Sequence, residues 1–334
     1  MTVKIAIIGL GQIGASIGLA LANHKDQVTT IGYDTEGEVN RKAMKKRAVE
    51  KIGHGLYATV AGADVIILAL PLDQVRETLR AMAQDVREEA VVIDTAPAKL
   101  AVAAWVEEFL PPKRHYVGLI LSPNPLLMDE TGSGVDSARA DLFHNGLAAI
   151  TTPHGTAGEA IKLAASFVTL LGARPYFSDP AEVDGIMASV DTLPALAAAA
   201  LAETVMGQPG WNDIRKLAGH HFMAGMRSLD GEQAVSLAET AHSNRVNTVR
   251  VLDEYISALQ SLRDEVDRAE NSNLPARLKG ALNECAQWQR TRANNDWQSG
   301  GFPRPEMPTF NDIWKGQLGL GKLLDRRNKK TRDD

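Results

Sequence analysis

The stretch that decides the fold lies at the N-terminus and reads Val3-Lys4-Ile5-Ala6-Ile7-Ile8-Gly9-Leu10-Gly11-Gln12-Ile13-Gly14. Its first half is a short β-branched run, which is typical of a buried strand. Its second half carries glycines at the spacing Gly-x-Gly-x-x-Gly and leads into small and apolar residues at helical spacing. Strand, tight turn and helix in this order form the context in which the glycine motif predicts a dinucleotide site.

The same alternation of strand and helix continues along the chain. Apolar runs predict further strands at residues 28–33, 65–70, 91–94, 116–121, 148–151 and 174–177. Helical patterns lie between them, at residues 38–48, 73–84, 99–109 and 157–171. Strands separated by helices favour a parallel sheet that is covered on both faces. We therefore expect an α/β fold, a Rossmann domain with a doubly wound parallel sheet, over residues 1–178.

The pattern changes after Asp179-Pro180, where alanine- and leucine-rich helical stretches replace the strand runs. We expect an all-helical substrate and dimerisation domain over residues 179–293, followed by a C-terminal extension at residues 294–334. Leu193-Pro194 opens an apolar run that predicts a helix buried on most sides, either in a core or in a subunit interface. Because such faces are costly to leave exposed, we expect a homodimer.

Composition narrows the class of protein. The chain has 334 residues, 44% of them hydrophobic, but its apolar runs fall short of the ~20 residues that a membrane span needs, so no membrane partner is expected. A net charge of −5 argues against nucleic-acid binding. A single cysteine, Cys285, excludes an internal disulfide, and no Cys/His cluster has the spacing of a zinc site. With no signal-peptide pattern, the sequence predicts a cytoplasmic protein with a small-molecule ligand and no metal.

The glycine motif assigns its members separate tasks. Gly9 permits the tight turn, Gly11 lets the backbone approach a pyrophosphate, and Gly14 allows close packing of helix and strand. The free amides at the start of the helix, around Gln12 and Ile13, are expected to meet the phosphate charge.

An acidic residue ends the second predicted strand, 20 residues beyond Gly14: Asp34 is placed to accept hydrogen bonds from the adenosine ribose. A carboxylate there repels a 2′-phosphate and favours NAD over NADP, although Arg41, Lys42, Lys45 and Lys46 follow closely and soften that preference. Leu70-Pro71 and Thr95 follow the third and fourth predicted strands, and we expect them to border the nicotinamide half of the site.

Several separate stretches carry a family resemblance. They are Ile8 to Ser16, Ser133 to Ala138 with Ala140 to Phe143, and Gly172-Ala173-Arg174 followed by Asp179-Pro180. Together they resemble the prephenate and arogenate dehydrogenase family of tyrosine biosynthesis. The resemblance implies a Rossmann domain, a helical dimerisation domain, and oxidation of a cyclohexadienyl alcohol, a small carboxylate, by NAD(P) with loss of carbon dioxide.

The chain departs from the family pattern at the positions of two family histidines. The histidine that the family pairs with the substrate hydroxyl is absent, and Asn124 or Ser122 occupies its approximate place. The family's Ser-His-Leu-Pro reads Asp191-Thr192-Leu193-Pro194 here, so Thr192 replaces a second histidine. Asparagine can orient a hydroxyl but cannot take its proton.

Three other residues are candidates for the missing chemistry. His220 and His221 are candidates for a relocated base, because they lie close to Arg227. Arg227 matches the family arginine that the resemblance assigns to the substrate carboxylate, and a guanidinium suits bidentate binding of that group.

Three classes of function remain open at this stage. The first is a dehydrogenase of the prephenate or arogenate type with altered acid–base machinery. The second is an NAD(P)-dependent dehydrogenase of the same architecture acting on a different small carboxylate. The third is a non-catalytic NAD-binding regulatory protein.

Overall fold

The computed structural model describes residues 2–128, 130, 132–229, 234–268 and 272–294. Within these ranges eight strands form one sheet: β1 (Val3–Ile8), β2 (Val28–Tyr33), β3 (Lys51–Ile52), β4 (Val65–Leu68), β5 (Val91–Asp94), β6 (His115–Leu121), β7 (Leu147–Thr151) and β8 (Arg174–Phe177). The helices between them are α1 (Gln12–Leu21), α2 (Gly37–Lys46), α3 (Leu56–Val60), α4 (Leu72–Met82), α5 (Lys99–Phe109) and α6 (Gly158–Leu170). The expected C-terminal extension, apart from Asn294, lies outside the described residues.

The strand order is β3-β2-β1-β4-β5-β6-β7-β8. Its first six strands follow the order of a doubly wound Rossmann sheet, which confirms the predicted fold class, and the topological switch point lies between β1 and β4. One pairing differs from the predicted parallel sheet, because β7 runs antiparallel to β6. The described residues between β6 and β7, 122–128, 130 and 132–146, form no crossover α-helix, and a parallel pairing needs such a crossover.

Helices cover both faces of the sheet because alternate strand residues point to opposite sides. On one face Ile7, Ile67 and Ile93 are buried together with side chains of α1, α2 and α6. On the other face Ile66 and Leu68 are buried with side chains of α4 and α5. The central strands are therefore apolar on both sides, which is why their sequence reads as continuous hydrophobic runs.

The two outer strands of the sheet are short. β3 consists of two residues at one edge, and β8 consists of four at the other. β8 includes Pro175, which lacks a backbone N–H. The sheet thus tapers at both edges.

Beyond β8 the described elements are helices. They are α7 (Pro180–Met187), α8 (Leu193–Met206), α9 (Trp211–Leu217), α10 (His220–Met226), α11 (Ala234–Ser243), α12 (Arg245–Asp267) and α13 (Leu274–Ala293). A π-helical turn, Ala188–Thr192, joins α7 and α8 into one long helix. Pro194, the second residue of α8, has no backbone N–H to donate, and the wider turn ends two residues before it, at Thr192.

This long helix, Pro180–Met206, is the described segment that is long and apolar enough to cross a membrane, by length and composition alone. Only 22% of its most apolar window is buried within the chain. One of its acidic residues, Asp184, is buried against the rest of the chain, and another, Asp191, lines a cleft. We interpret the exposed apolar surface of this helix as an interface.

Asp184 joins the helical part to the sheet. Its carboxylate accepts hydrogen bonds from the backbone N–H of Lys99 at 2.6 Å and of Leu100 at 3.1 Å, and so caps α5. Asn244 from α12 donates to the Asp184 carbonyl at 2.6 Å. Burial raises the pKa of Asp184, while the two backbone donors lower it. The junction is therefore built from oriented polar contacts as well as apolar packing.

Candidate active site

A cleft of about 480 Å³ opens at the carboxyl ends of the central strands, beside the switch point between β1 and β4. One wall is formed by the glycine loop and by residues that follow β4 and β5, including Gly11, Ile13 and Thr95. The opposite wall belongs to the helical part: Met187, Asp191, Ala195, Ser236, Leu237 and Thr240. A larger surface cavity of about 780 Å³ lies along α5, away from the glycine loop. Ligands of open α/β sheets bind at the switch point, so the first cleft is the candidate site.

The cleft brings together six of the nine residues predicted for the cofactor. They are Gly11, Gln12, Ile13, Leu70, Pro71 and Thr95. The other three lie directly behind or beside this wall, since Gly9 and Gly14 belong to the same loop and Asp34 ends the neighbouring strand β2.

Packing explains the outer glycines of the motif. Gly9 has a φ of +88°, and a Cβ there would lie 2.3 Å from the Ala69 carbonyl oxygen. A Cβ on Gly14 would lie 1.9 Å from the Gly9 carbonyl oxygen. Both positions therefore exclude any side chain.

Gly11 is different, because no atom lies within 4 Å of a Cβ built there. The open space faces the start of α1, where backbone N–H groups have no helical partner. A pyrophosphate fits this arrangement, since it would take the space and accept those hydrogen bonds. The residues present therefore fit the dinucleotide that the sequence predicts.

Asp34 is held next to the glycine loop. Its Oδ2 accepts a hydrogen bond from the Leu10 N–H at 2.9 Å, and its Oδ1 accepts one from the Glu36 N–H at 3.0 Å. The Asn40 side chain bonds both the N–H and the carbonyl of Asp34. Each carboxylate oxygen keeps a lone pair for a ribose hydroxyl. Asn40, which the sequence analysis did not identify, thus fixes the direction of Asp34.

Two of the basic residues that follow Asp34 are engaged elsewhere. The Lys42 Nζ lies 2.6 Å from the Asp136 carboxylate, and Lys46 donates to the carbonyls of Asp136 and Ala138. The hydrogen bond to Asp136 raises the pKa of Lys42. These contacts hold the segment after β6 against α2, so of the four basic residues only Arg41 and Lys45 remain exposed near the ribose position.

A fully buried ion pair lies beneath the cleft. Lys99, with no exposed surface, places its Nζ 2.8 Å from Oδ1 of Asp94, the last residue of β5. Tyr116 donates to Oδ2 of Asp94 at 2.6 Å. Burial lowers the pKa of Lys99 and raises that of Tyr116. Because Thr95 follows Asp94, this cluster fixes the strand end that lines the cleft.

The candidates for the family histidine lie outside the cleft wall. Asn124 is 5% exposed, and its side chain donates to the Asp141 carbonyl and accepts from the Leu126 N–H. It caps the short 3₁₀ turn Pro125–Leu127. The Ser122 hydroxyl accepts a hydrogen bond from Arg292 of α13 at 2.9 Å. Both side chains are thus engaged in structural contacts.

The remaining candidates are divided between the surface and the interior. His220 and His221 are exposed at the start of α10, with ring centroids 3.8 Å apart, and neither lines the cleft. Arg227 is exposed in the turn after α10, which packs beside α8. Thr192 is 1% exposed, and its hydroxyl has no hydrogen-bond partner among the described residues.

The structure adds a residue that the sequence analysis did not select. Asp191 is the titratable side chain among the described residues that line the cleft. An acidic residue just before Leu193-Pro194, at the start of an apolar helix, is the available sequence signal. Within the described residues no group of three His, Cys, Asp or Glu side chains could hold a metal ion.

Comparisons with known proteins agree with this geometry. The family model for the nucleotide-binding domain of prephenate dehydrogenase matches residues 17–177, and the model for the dimerization domain of prephenate dehydrogenase matches residues 179–280. The chain belongs to the prephenate dehydrogenase family. The two matches divide the chain where the sheet gives way to the long apolar helix.

Individual relatives are distant. Prephenate dehydrogenase of Bacillus subtilis is 24% identical over 83% of this chain and 78% of its own length. Cyclohexadienyl dehydrogenase of Zymomonas mobilis is 25% identical over 82% of this chain and 92% of its own. Among solved structures, prephenate dehydrogenase of Aquifex aeolicus, in complex with hydroxyphenyl propionate and NAD⁺, has a TM-score of 0.75. It is 20% identical and covers 86% of this chain and 99% of its own, a likeness that shows the shared fold.

Proposed function

We propose that the chain is an NAD-dependent dehydrogenase that oxidises a cyclohexadienyl alcohol with loss of carbon dioxide, a reaction of tyrosine biosynthesis. The observation that carries the proposal is the cleft itself. In a chain of this family, the cleft joins a loop that fits a dinucleotide to a wall from the helical part.

NAD supplies the oxidant, because its nicotinamide ring accepts a hydride when it is bound. The chain's residues supply the binding and the orientation. The amides at the start of α1 are placed for the pyrophosphate and Asp34 for the ribose. In this proposal Leu70, Pro71 and Thr95 border the space where the substrate meets the nicotinamide, and the helical wall, of apolar and polar side chains, covers the other side.

A direct assay tests the proposal. Purified protein is mixed with NAD or NADP and with prephenate or arogenate, and the absorbance of the reduced nicotinamide is followed together with release of carbon dioxide. We expect turnover of at least one of the two substrates, with NAD as the better oxidant. Absence of turnover with both, while NAD binding persists, would remove the substrate assignment.

A second candidate is a protein that binds NAD without this chemistry or acts on another small carboxylate. The observation that favours it is the absence of histidine among the described residues of the cleft wall. Isothermal titration with NAD, followed by the same assay over a panel of hydroxy acids, separates the two candidates.

We also propose that the protein works as a homodimer in the cytoplasm. The support for a dimer is the match to a dimerization domain and the exposed apolar side chains of the helical part, among them Val190, Ile256 and Leu259. The support for the cytoplasm is the single cysteine, Cys285, which is exposed and unpaired and suits a reducing compartment.

A further inference from the structure

None of the cofactor contacts described above uses Asp191. It lies on the π-helical turn between α7 and α8, and its side chain lines the cleft opposite the glycine loop. It remains accessible from the cleft, and it forms no hydrogen bond or ion pair with the described residues. The surface of the cleft around it is of mixed polarity, and a bound ligand can partner the free oxygens of this carboxylate.

The turn that carries Asp191 is itself unusual. The Leu193 N–H bonds the Ala188 carbonyl, five residues back, so the turn is one residue wider than an α-helical one. Single π-helical turns inside α-helices occur frequently at functional sites. The extra residue rotates the turn relative to α8, and Asp191 then faces the cleft while Thr192 is buried behind it.

No charged neighbour accounts for Asp191. α7, α8, α11 and α12 pack against the turn, and several of their titratable groups are bonded elsewhere: Glu182 to Ser178, Asp184 to α5, Glu239 to Ser243 and Arg250 to Glu254. Glu203, His242 and Arg245 are exposed, and among the described residues none of them forms a hydrogen bond or ion pair with Asp191. Partial desolvation by the surrounding cleft wall raises the pKa of Asp191, although the side chain keeps surface exposed to the cleft. A raised value brings a carboxylate closer to the pH at which a general base is efficient.

We propose that Asp191 is the general base of the reaction and takes the proton of the substrate's ring hydroxyl. This inference rests on the proposed function and names the group that does the work of the missing histidine. Asn124 and Ser122 are engaged in structural contacts, and His220 and His221 lie outside the cleft wall, so Asp191 is the base that the described cleft offers.

The proposed step balances without another reactant. The ring carbon gives its hydride to NAD⁺, and the hydroxyl proton moves to the Asp191 carboxylate, which leaves a ring ketone. The bond to the ring carboxylate then breaks and releases carbon dioxide. Its electron pair makes the ring aromatic, and the former ketone oxygen takes the proton back from Asp191. The carboxylate is regenerated, and no net proton is released.

The test compares Asp191→Asn with Glu203→Gln, a matched loss of charge on the same helix away from the cleft. We expect Asp191→Asn to lower kcat by about 10²- to 10⁴-fold with little change in KM. In the unmodified enzyme kcat/KM falls as the pH drops through the raised pKa of Asp191, and Asp191→Asn removes this limb. Glu203→Gln keeps both the rate and the limb.

A stability measurement gives a readout that does not depend on activity. Because the unfolded chain releases the Asp191 proton at a lower pH than the folded chain, ionisation of Asp191 destabilises the fold at neutral pH. Asp191→Asn should therefore raise the melting temperature at neutral pH, and the difference should vanish below the ordinary aspartate pKa. A residue with a merely structural role would give a lower melting temperature instead.

The outcomes are distinguishable. An unchanged kcat and pH limb in an active Asp191→Asn variant would overturn the assignment and leave the proposed function intact. A higher KM for arogenate alone, with kcat unchanged, would overturn it in favour of recognition of the substrate ammonium. An unmodified protein that binds NAD but oxidises neither substrate would overturn the proposed function, and the role of Asp191 with it.

Discussion

At the scale of single residues, cofactor choice depends on Asp34. Its carboxylate is oriented by Leu10 and Asn40, so Asp34→Ala removes a prepared acceptor rather than a mobile side chain. We expect the Kd for NAD to rise about tenfold, the equivalent of roughly one hydrogen bond, and the Kd for NADP to fall, because the carboxylate that repels the 2′-phosphate is gone. Titration with both cofactors measures the effect. Glu36→Ala, a nearby exposed carboxylate, should leave both constants unchanged, and equal affinities in the unmodified protein would contradict the role of Asp34.

The buried pair of Lys99 and Asp94 allows a second prediction. Lys99→Met leaves the Asp94 carboxylate buried without its cation, which typically costs about 3–5 kcal/mol of the free energy of unfolding. Denaturant titration without cofactor measures the loss. Lys113→Met, which breaks an exposed pair with Glu88, is the control and should cost little. Equal losses in the two variants would show that burial of the Lys99 pair has no special weight.

Arg227→Ala tests the residue that the resemblance assigns to the substrate carboxylate. Its exposed guanidinium has no ion pair among the described residues, so Arg227→Ala should leave the fold unchanged. If it binds the substrate carboxylate, the variant should raise KM while kcat stays near its original value. An unchanged KM would leave the carboxylate without an assigned partner.

At the scale of elements, the strand–turn–helix unit separates folding from binding. Gly14→Ala places a methyl group against the Gly9 carbonyl oxygen, whereas Gly11→Ala meets open space. We expect Gly14→Ala to lower the melting temperature of the protein without NAD. Gly11→Ala should keep that temperature and lose the stabilisation that added NAD gives. Thermal melts with and without NAD distinguish the two, and a full NAD response in Gly11→Ala would contradict the pyrophosphate assignment.

The strands and helices also show how much of the fold could be predicted from the sequence. Strands β1, β4 and β5 follow from their apolar runs, because both faces of each are largely buried. The two-residue β3 and the five-residue α3 are too short to show a period, and neither was predicted. The direction of β7 depends on the path of residues 122–146, which no local pattern encodes. The cofactor loop is local and was predictable, whereas the approach of Asp191 to it depends on packing between distant parts of the chain.

At the scale of the whole molecule, the property to measure is the oligomeric state. Ile256 and Leu259 are exposed on one face of α12, about half of each side chain being accessible. Light scattering should give twice the monomer mass of 36.0 kDa. Ile256→Glu should weaken that association, and Tyr57→Glu, an equally drastic change on α3 of the sheet domain, should not. A monomer at micromolar concentration in the unmodified protein would exclude the dimer.

The short edge strands of the sheet affect how copies of this protein can associate. A long unpaired edge strand is a template on which a second chain can add a strand, and repeated addition of strands leads to aggregation. Here one margin presents two residues and the other presents four with a proline among them, so neither offers a continuous row of donors and acceptors. Recruitment of further strands is thereby discouraged, which favours association through side-chain contacts between helices, and such contacts can stop at a closed pair.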